Sequence, residues 1–347
     1  NLETPFGYGR ILRDENDNVT GIVEQKDGTP EQLQIQEVNT GILACNGETL
    51  KRLLSSIDNK NSQGEYYLTD IFELAANEGI AIKTAQPESA HEVEGVNNRL
   101  QLATLERVFQ RRIADELMTN GVALADPARI DVRGNAQISN DVYIDINAVF
   151  EGEVKIGSGT NIGPNCVIIN SIIGENVNIK ANCILENARL ENNCEVGPFA
   201  RLRPETHLQK NAKVGNFVEI KKANIGEGSK VNHLSYIGDT QMGKNVNIGA
   251  GTITCNYDGA YKHKTTIGDN VFIGSDTQLI APVTIASGVT IGAGATITKD
   301  VDQDLLVLSR APQKTITGWK RPEKNQPEKQ QLEKKQLEKK QVIINPG

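Results

Sequence analysis

Ile156-Gly-Ser-Gly-Thr160-Asn-Ile162-Gly-Pro-Asn-Cys166-Val-Ile168 decides the fold, because an aliphatic residue returns in it at every sixth position. The beat runs on through Ile173, Ile179, Leu185, Leu190, Val196, Leu202, Leu208, Val214, Ile220, Ile225, Val231, Ile237, Met242 and Ile248. It resumes at Ile267, Ile273, Leu279, Ile285, Ile291 and Ile297, so all 23 positions are aliphatic, with spacings of six and occasional fives. Neither the helical period nor strand alternation gives a six-residue beat. A parallel β-helix does, with three hexads closing a coil of roughly 18 residues. The aliphatic side chain then points into a prism, and stacked coils build ladders of it. Small residues in the fifth position of a hexad point inward too, as Thr160, Cys166, Val177, Cys183 and Cys194 would. Fainter hexads at Ile138, Ile144 and Phe150 place the start of this domain near Ala128.

The composition agrees. Aromatics make up only 4% of the 347 residues, against 32 glycines, which favours thin repeated aliphatic layers over a core of interlocking rings. Five cysteines without paired spacing fit a reducing compartment, so the cytoplasm is the expected location. Cys166, Cys183 and Cys194 read as core residues rather than metal ligands. No stretch approaches the ~18 apolar residues of a membrane span, which speaks against stable membrane insertion. Net charge is −7, but residues 320–347 hold eight Lys/Arg and four Glu, a tail of +4 after a body of −11. So acidic a body is a poor nucleic-acid binder.

The flanks read differently. In residues 1–97, Val19–Glu24 and 37–44 pattern as strands, and 47–58 and 69–78 as helices. The segment looks like the second part of an α/β domain lacking the opening strand and phosphate-binding loop, which implies a truncated chain. One long helix is expected over 98–120, with Leu100, Leu102, Leu105, Val108, Ile113 and Leu117 on its apolar side. Four units follow: 1–97 α/β, 98–127 a helical arm, 128–318 the β-helix, and 319–347 a Lys/Gln/Glu-rich tail.

The beat breaks across Thr252-Ile-Thr-Cys-Asn-Tyr-Asp-Gly-Ala-Tyr-Lys-His-Lys264, and a polar loop ejected from a solenoid commonly carries binding residues. The four histidines lack the close spacing of a three-histidine zinc site, which argues against metal-dependent hydration. His233 follows an inward Val231, and a neutral imidazole there suits proton removal from an amine or hydroxyl. Arg201, Arg203, Lys221 and Lys222 stand out against the acidic body as candidate anion contacts.

Taken together, Gly197-Pro-Phe-Ala-Arg-Leu-Arg-Pro204, Val214-Gly-Asn-Phe-Val-Glu-Ile-Lys-Lys222, His233-Leu-Ser-Tyr236 and Asn247-Ile-Gly-Ala-Gly-Thr-Ile-Thr-Cys-Asn-Tyr-Asp-Gly259 resemble the bacterial bifunctional GlmU family. The resemblance runs from about residue 5 to Pro322. It implies a left-handed parallel β-helix that assembles as a homotrimer with acetyl-transfer sites between subunits. The implied reaction moves an acetyl group from acetyl-CoA to the amine of glucosamine 1-phosphate. His233 would be the general base, with Glu219 helping to orient or polarise the site. Arg203, Lys221 and Lys262 would meet the phosphate, Tyr236 and Asn247 the sugar. Coenzyme A would lie along Ala250, Asn256, Tyr257, Ser275, Ala293 and Arg310.

The family's second activity, uridylyl transfer from UTP with magnesium, is expected only of a longer parent. Here the resemblance leaves sugar-nucleotide contacts at Gly9, Glu24, Asn39 and Asn97, the last also a magnesium ligand. A silent β-helix scaffold and an O-acyltransferase acting on another sugar nucleotide are the rival readings.

Overall fold

The computed structural model describes residues 1–96, 98–309, 311–321 and 334–337. Each of the 23 hexad positions is buried, none more than 3% exposed. They form one continuous apolar column with the inward Cys166, Val177, Cys183 and Cys194. Successive coils pair as parallel strands in strict register, Leu185 over Ile168 and Leu202 over Leu185. One face of the prism is an 11-stranded parallel ladder, and a 17-stranded sheet supplies the other two. The stack takes in Ala123–Leu124, which pairs with Tyr143–Ile144, ahead of the hexads visible in the sequence. Coils sit so close that a glycine can be obligatory: a Cβ on Gly226 would lie 2.0 Å from the carbonyl oxygen of Gly243 in the next coil.

The corners are left-handed. Asn147, Asn165 and Asn182 stack at one corner with φ near +60°, a conformation that asparagine tolerates better than most residues. Their amides bond from coil to coil at 2.9 and 3.2 Å. Higher on the same corner the residues are Phe199, Phe217 and Leu234, still at positive φ. The two rings stack at 5.3 Å between centroids.

The long helix forms over Arg99–Thr119 (α3, taken after α1 and α2 below), capped by the Asn98 side chain. Its expected apolar side is only partly buried. Leu100 and Leu102 are exposed, whereas Gln110, Ala114 and Leu117 are buried, because only the C-terminal half meets the first coil. Gln110 pairs with that coil as a strand would: Nε2 donates to Val132 O at 2.9 Å, and Val132 N donates to Oε1 at 2.8 Å.

In residues 1–96, Arg10–Arg13 (β1) and Val19–Val23 (β2) form an antiparallel pair. The helices are Gly47–Leu54 (α1) and Asp70–Asn77 (α2), joined by a small cluster of Leu53, Ile71 and Ala75. The strand expected over 37–44 is not formed. Only Val38 pairs, through one isolated antiparallel bridge to Arg10 on the edge of β1 that β2 leaves free, with Ile11 N donating to Glu37 O and Asn39 N to Gly9 O. Most of the tail, 322–333 and 338–347, lies outside the described residues.

Candidate active site

A coil of 17 or 18 residues sets side chains one turn apart directly over one another, and this register builds the site. His233 sits above Asn216. The His233 carbonyl accepts from Gly251 N, the Ala250 carbonyl from Asp276 N at 2.7 Å, and the Ser275 carbonyl from Gly294 N at 2.8 Å. Asn216, His233, Ala250, Ser275 and Ala293 therefore climb one corner as a column. Above the imidazole the column carries only small side chains, and Ser275 and Ala293 are exposed, which leaves a shallow strip along the corner.

His233 is itself exposed, and its Nδ1 lies 3.0 Å from Asn216 Oδ1. An amide oxygen there accepts only from Nδ1–H, so of the two neutral tautomers the pairing favours the one with its lone pair on Nε2. Three residues on, the chain turns onto the next face, where Glu219 and Tyr236 lie side by side in register, as do Lys221 and Gly238. Arg203 Nη1 donates to Glu219 Oε1 at 2.8 Å. Glu219 thus engages Arg203, while the partner of His233 is Asn216. Asn247 lies on the opposite side of the corner, between Lys230 and Phe272 on the 11-stranded face.

The polar stretch after Ile248 does not leave the coil where the sequence suggests. Ile253–Cys255 is a strand, and Thr252, Thr254 and Asn256 are buried. The hydroxyl of Thr254 accepts from Gly238 N at 2.7 Å, which satisfies an inward polar group. Asn256 Nδ2 donates to Asp239 Oδ2 at 2.5 Å and reaches the Tyr236 hydroxyl at 3.4 Å. Only residues 257–264 are ejected. They fold back as a hairpin, with Tyr257 bridged to Lys262.

The hairpin brings Lys262 to Lys221. The Lys221 ammonium is held below its ordinary pKa, first by contact with the Lys262 ammonium and then by desolvation, with Arg203 adding a further positive charge and Asp239 opposing them. Three cations facing one patch, with Arg203 shared with Glu219, make a surface suited to a dianion.

Asn216 and Asp239 were not singled out in the sequence. The usable signal was the offset of 17 that separates each from its partner, His233 and Asn256. Among the remaining expected residues, Tyr257 is exposed on the hairpin, its hydroxyl donating to Gly259 O at 2.6 Å. Gly9, Glu24 and Asn39 do come together: Asn39 N donates to Gly9 O, and a Cβ on Gly9 would lie 3.3 Å from Glu24 Oε1. Glu24 and Asn39 line a cleft of about 260 Å³, and Thr69 Oγ1 donates to Glu24 at 2.8 Å. Asn97 and Arg310 lie outside the described residues. Among the described residues, no three His, Cys, Asp or Glu side chains gather to hold a metal ion. No helix among them is long and apolar enough to cross a membrane.

Hexad coils of this kind define the hexapeptide-repeat transferases, and residues 135–170 and 264–299 match the model of the bacterial transferase hexapeptide family (six repeats). Within that class, the chain is 57% identical over 323 residues to the bifunctional protein GlmU of Marinobacter nauticus, an overlap of 93% of this chain and 71% of that protein. The chain belongs to the bifunctional GlmU family. Among solved structures, the UDP-N-acetylglucosamine acyltransferase of Campylobacter jejuni is 17% identical, covering 51% of this chain and 69% of its own, with a TM-score of 0.40. That of Francisella novicida is 17% identical, covering 54% and 66%, with a TM-score of 0.41. Neither overlap bears on function.

Proposed function

We propose that the chain transfers the acetyl group of acetyl-CoA to the amine of glucosamine 1-phosphate, the acetyltransferase step of UDP-N-acetylglucosamine synthesis. The observation that carries this reading is one arrangement: a singly bonded imidazole stands at the foot of the small-residue strip, and the three-cation patch lies on the adjoining face that the chain enters just after it. The patch of Arg203, Lys221 and Lys262 takes the phosphate, while Tyr236 and Asn247 hold the sugar from either side of the corner. Acetyl-CoA lies along Ala250, Ser275 and Ala293, with Asn256, Tyr257 and Arg310 contributing further contacts.

An amine attacks a thioester only as the free base. His233 Nε2 takes the amine proton as the nitrogen–carbon bond forms. The carbon–sulfur bond then breaks, and the coenzyme A thiolate leaves to take up a proton. Asn216 acts one step behind, favouring the tautomer that leaves Nε2 free.

The assembly is a homotrimer in which a second copy completes the site. Support comes from the apolar ladder beside His233, where Phe199, Phe217 and Leu234 are 49%, 56% and 61% exposed. Bulky residues at positive φ are costly, and exposure gives no return for that cost, whereas cover by another chain would. The unpaired cysteines fit the cytoplasm. In a longer relative, Gly9, Glu24, Asn39 and Asn97 would belong to a magnesium-dependent uridylyl site. The described residues do not assemble a metal-ligand set there, and no step is assigned to the ion.

The test is release of free thiol from acetyl-CoA with and without glucosamine 1-phosphate, for the wild type and His233→Ala. Release that requires the sugar phosphate and falls by about a hundredfold or more in the variant is expected. Release by the wild type that ignores the sugar phosphate, or a folded wild type that releases none, overturns the reading. Full activity in His233→Ala removes the base assignment.

A further inference from the structure

Lys262 faces another ammonium, and like charges at close range repel, so something other than attraction must hold it there. The Asp258 carboxylate occupies the centre of the hairpin. Its Oδ1 accepts from Ala260 N at 2.8 Å and from Tyr261 N at 2.7 Å, and Oδ2 lies 2.6 Å from His263 Nε2. The backbone closes the same turn, with Asp258 N donating to Tyr261 O and His263 N to Asn256 O at 2.8 Å. Asp258 is thus bonded to the residue before Lys262 and to the residue after it. Its carboxyl is held well below the ordinary range by His263 and by those two N–H groups, so it remains an acceptor at any working pH. Asn256, at the foot of the hairpin, is fixed independently by Asp239.

We propose that Asp258, with His263, is a positioning group for the acceptor's phosphate: it holds the hairpin so that the Lys262 ammonium stands beside Lys221 before the ligand arrives. The inference rests on the acetyltransferase reading above and extends it to residues that do not themselves touch the reacting atoms. A cation pair assembled in advance spares the ligand the cost of ordering a loop against charge repulsion. The benefit appears in binding of the phosphorylated acceptor and not in the acetyl-transfer step.

Steady-state kinetics on the full chain test this with Asp258→Ala, Lys262→Ala, the double variant and Asp258→Asn. Asp258→Ala is expected to raise KM for glucosamine 1-phosphate about tenfold and leave kcat within about twofold, as loss of preorganisation predicts. Asp258→Asn keeps both backbone acceptor bonds and should recover most of that loss. Because Asp258 acts through Lys262, the double variant should be no worse than Lys262→Ala, within about twofold. At saturating acetyl-CoA, acetylation of glucosamine, which lacks the phosphate, should fall far less in Asp258→Ala than acetylation of glucosamine 1-phosphate at low concentration; an equal fall overturns the inference. An unaltered KM in Asp258→Ala, or losses that multiply in the double variant, overturns this inference while the acetyltransferase stands. A wild type that neither turns over nor binds glucosamine 1-phosphate by calorimetry overturns both.

Discussion

The β-helix and the segment before it solve the same problem, burial of apolar surface, with opposite economy. In the β-helix each coil needs only its two neighbours, and every hexad residue is sealed. Residues 1–96 have two paired strands and two short helices, and their apolar residues Ile11, Val19, Leu53, Ile71 and Ala75 border a cleft of about 670 Å³. A two-stranded sheet is at best marginal alone, because a helix layer needs a sheet broad enough to cover it. A solenoid carries no such requirement, since its stability is a sum over neighbouring contacts. The difference predicts that a wedge in the middle of the stack breaks the contacts of one coil with the next and divides the β-helix, while damage to residues 1–96 leaves the stack intact.

The largest effect should come from Gly226→Val. With backbone atoms of Gly243 only 2.0 and 2.3 Å from the new Cβ, two coils must separate in the middle of the stack. Circular dichroism should show loss of the cooperative β transition, and acetyl transfer should vanish. The matching insult on the other side is Ala75→Asp, which places a carboxylate in the α1–α2 contact, where Ala75 is 6% exposed. Helical signal should fall while the β-helix transition and acetyl transfer persist. Loss of acetyl transfer in Ala75→Asp would show that the two regions are not separable.

A smaller effect is expected at the join. Gln110→Ala leaves Val132 N and O without the amide that pairs with them. Orphaned buried backbone groups should cost about 2–4 kcal/mol, read as a midpoint shift in urea at constant slope. A shift of similar size on replacing the exposed Leu102 by alanine would mean that the end of the stack is held by α3 as a whole rather than by this pairing.

The two regions also differ in how far the sequence disclosed them. A six-residue beat repeats its message in every coil, so all of its inward residues could be named, even Cys166, Cys183 and Cys194. The expected strand over 37–44 shrank to one bridge at Val38, because β-pattern does not say over what length a partner runs alongside, and β1 meets the segment only from Gly9 to Ile11. The apolar side of α3 failed at Leu100 and Leu102 for a related reason: periodicity gives a face, not the length over which a partner covers it. At the site, His233 and the cations were legible as residue types. Their partners Asn216 and Asp239 were not, because each lies a full coil away and becomes a neighbour only through register.

The finest test of the contrast uses the thiols, which need no mutation. Cys45 is exposed in the first region, whereas Cys166, Cys183 and Cys194 are buried in the coil column. Burial pushes the Cys194 thiol up to about 11, so it offers almost no thiolate at pH 8. Cys255, half-buried on the site face, is also raised by burial, though it keeps some access to solvent. A chromogenic disulfide reagent at pH 8 should therefore titrate one thiol quickly and a second slowly. The other three should react only when the protein is unfolded. Raising the pH toward 11 without unfolding should not release Cys194, because the reagent must still reach a sulfur enclosed between coils. If it reacts there while the β signal is intact, the column opens coil by coil, and the stack is less cooperative than its sealed register implies.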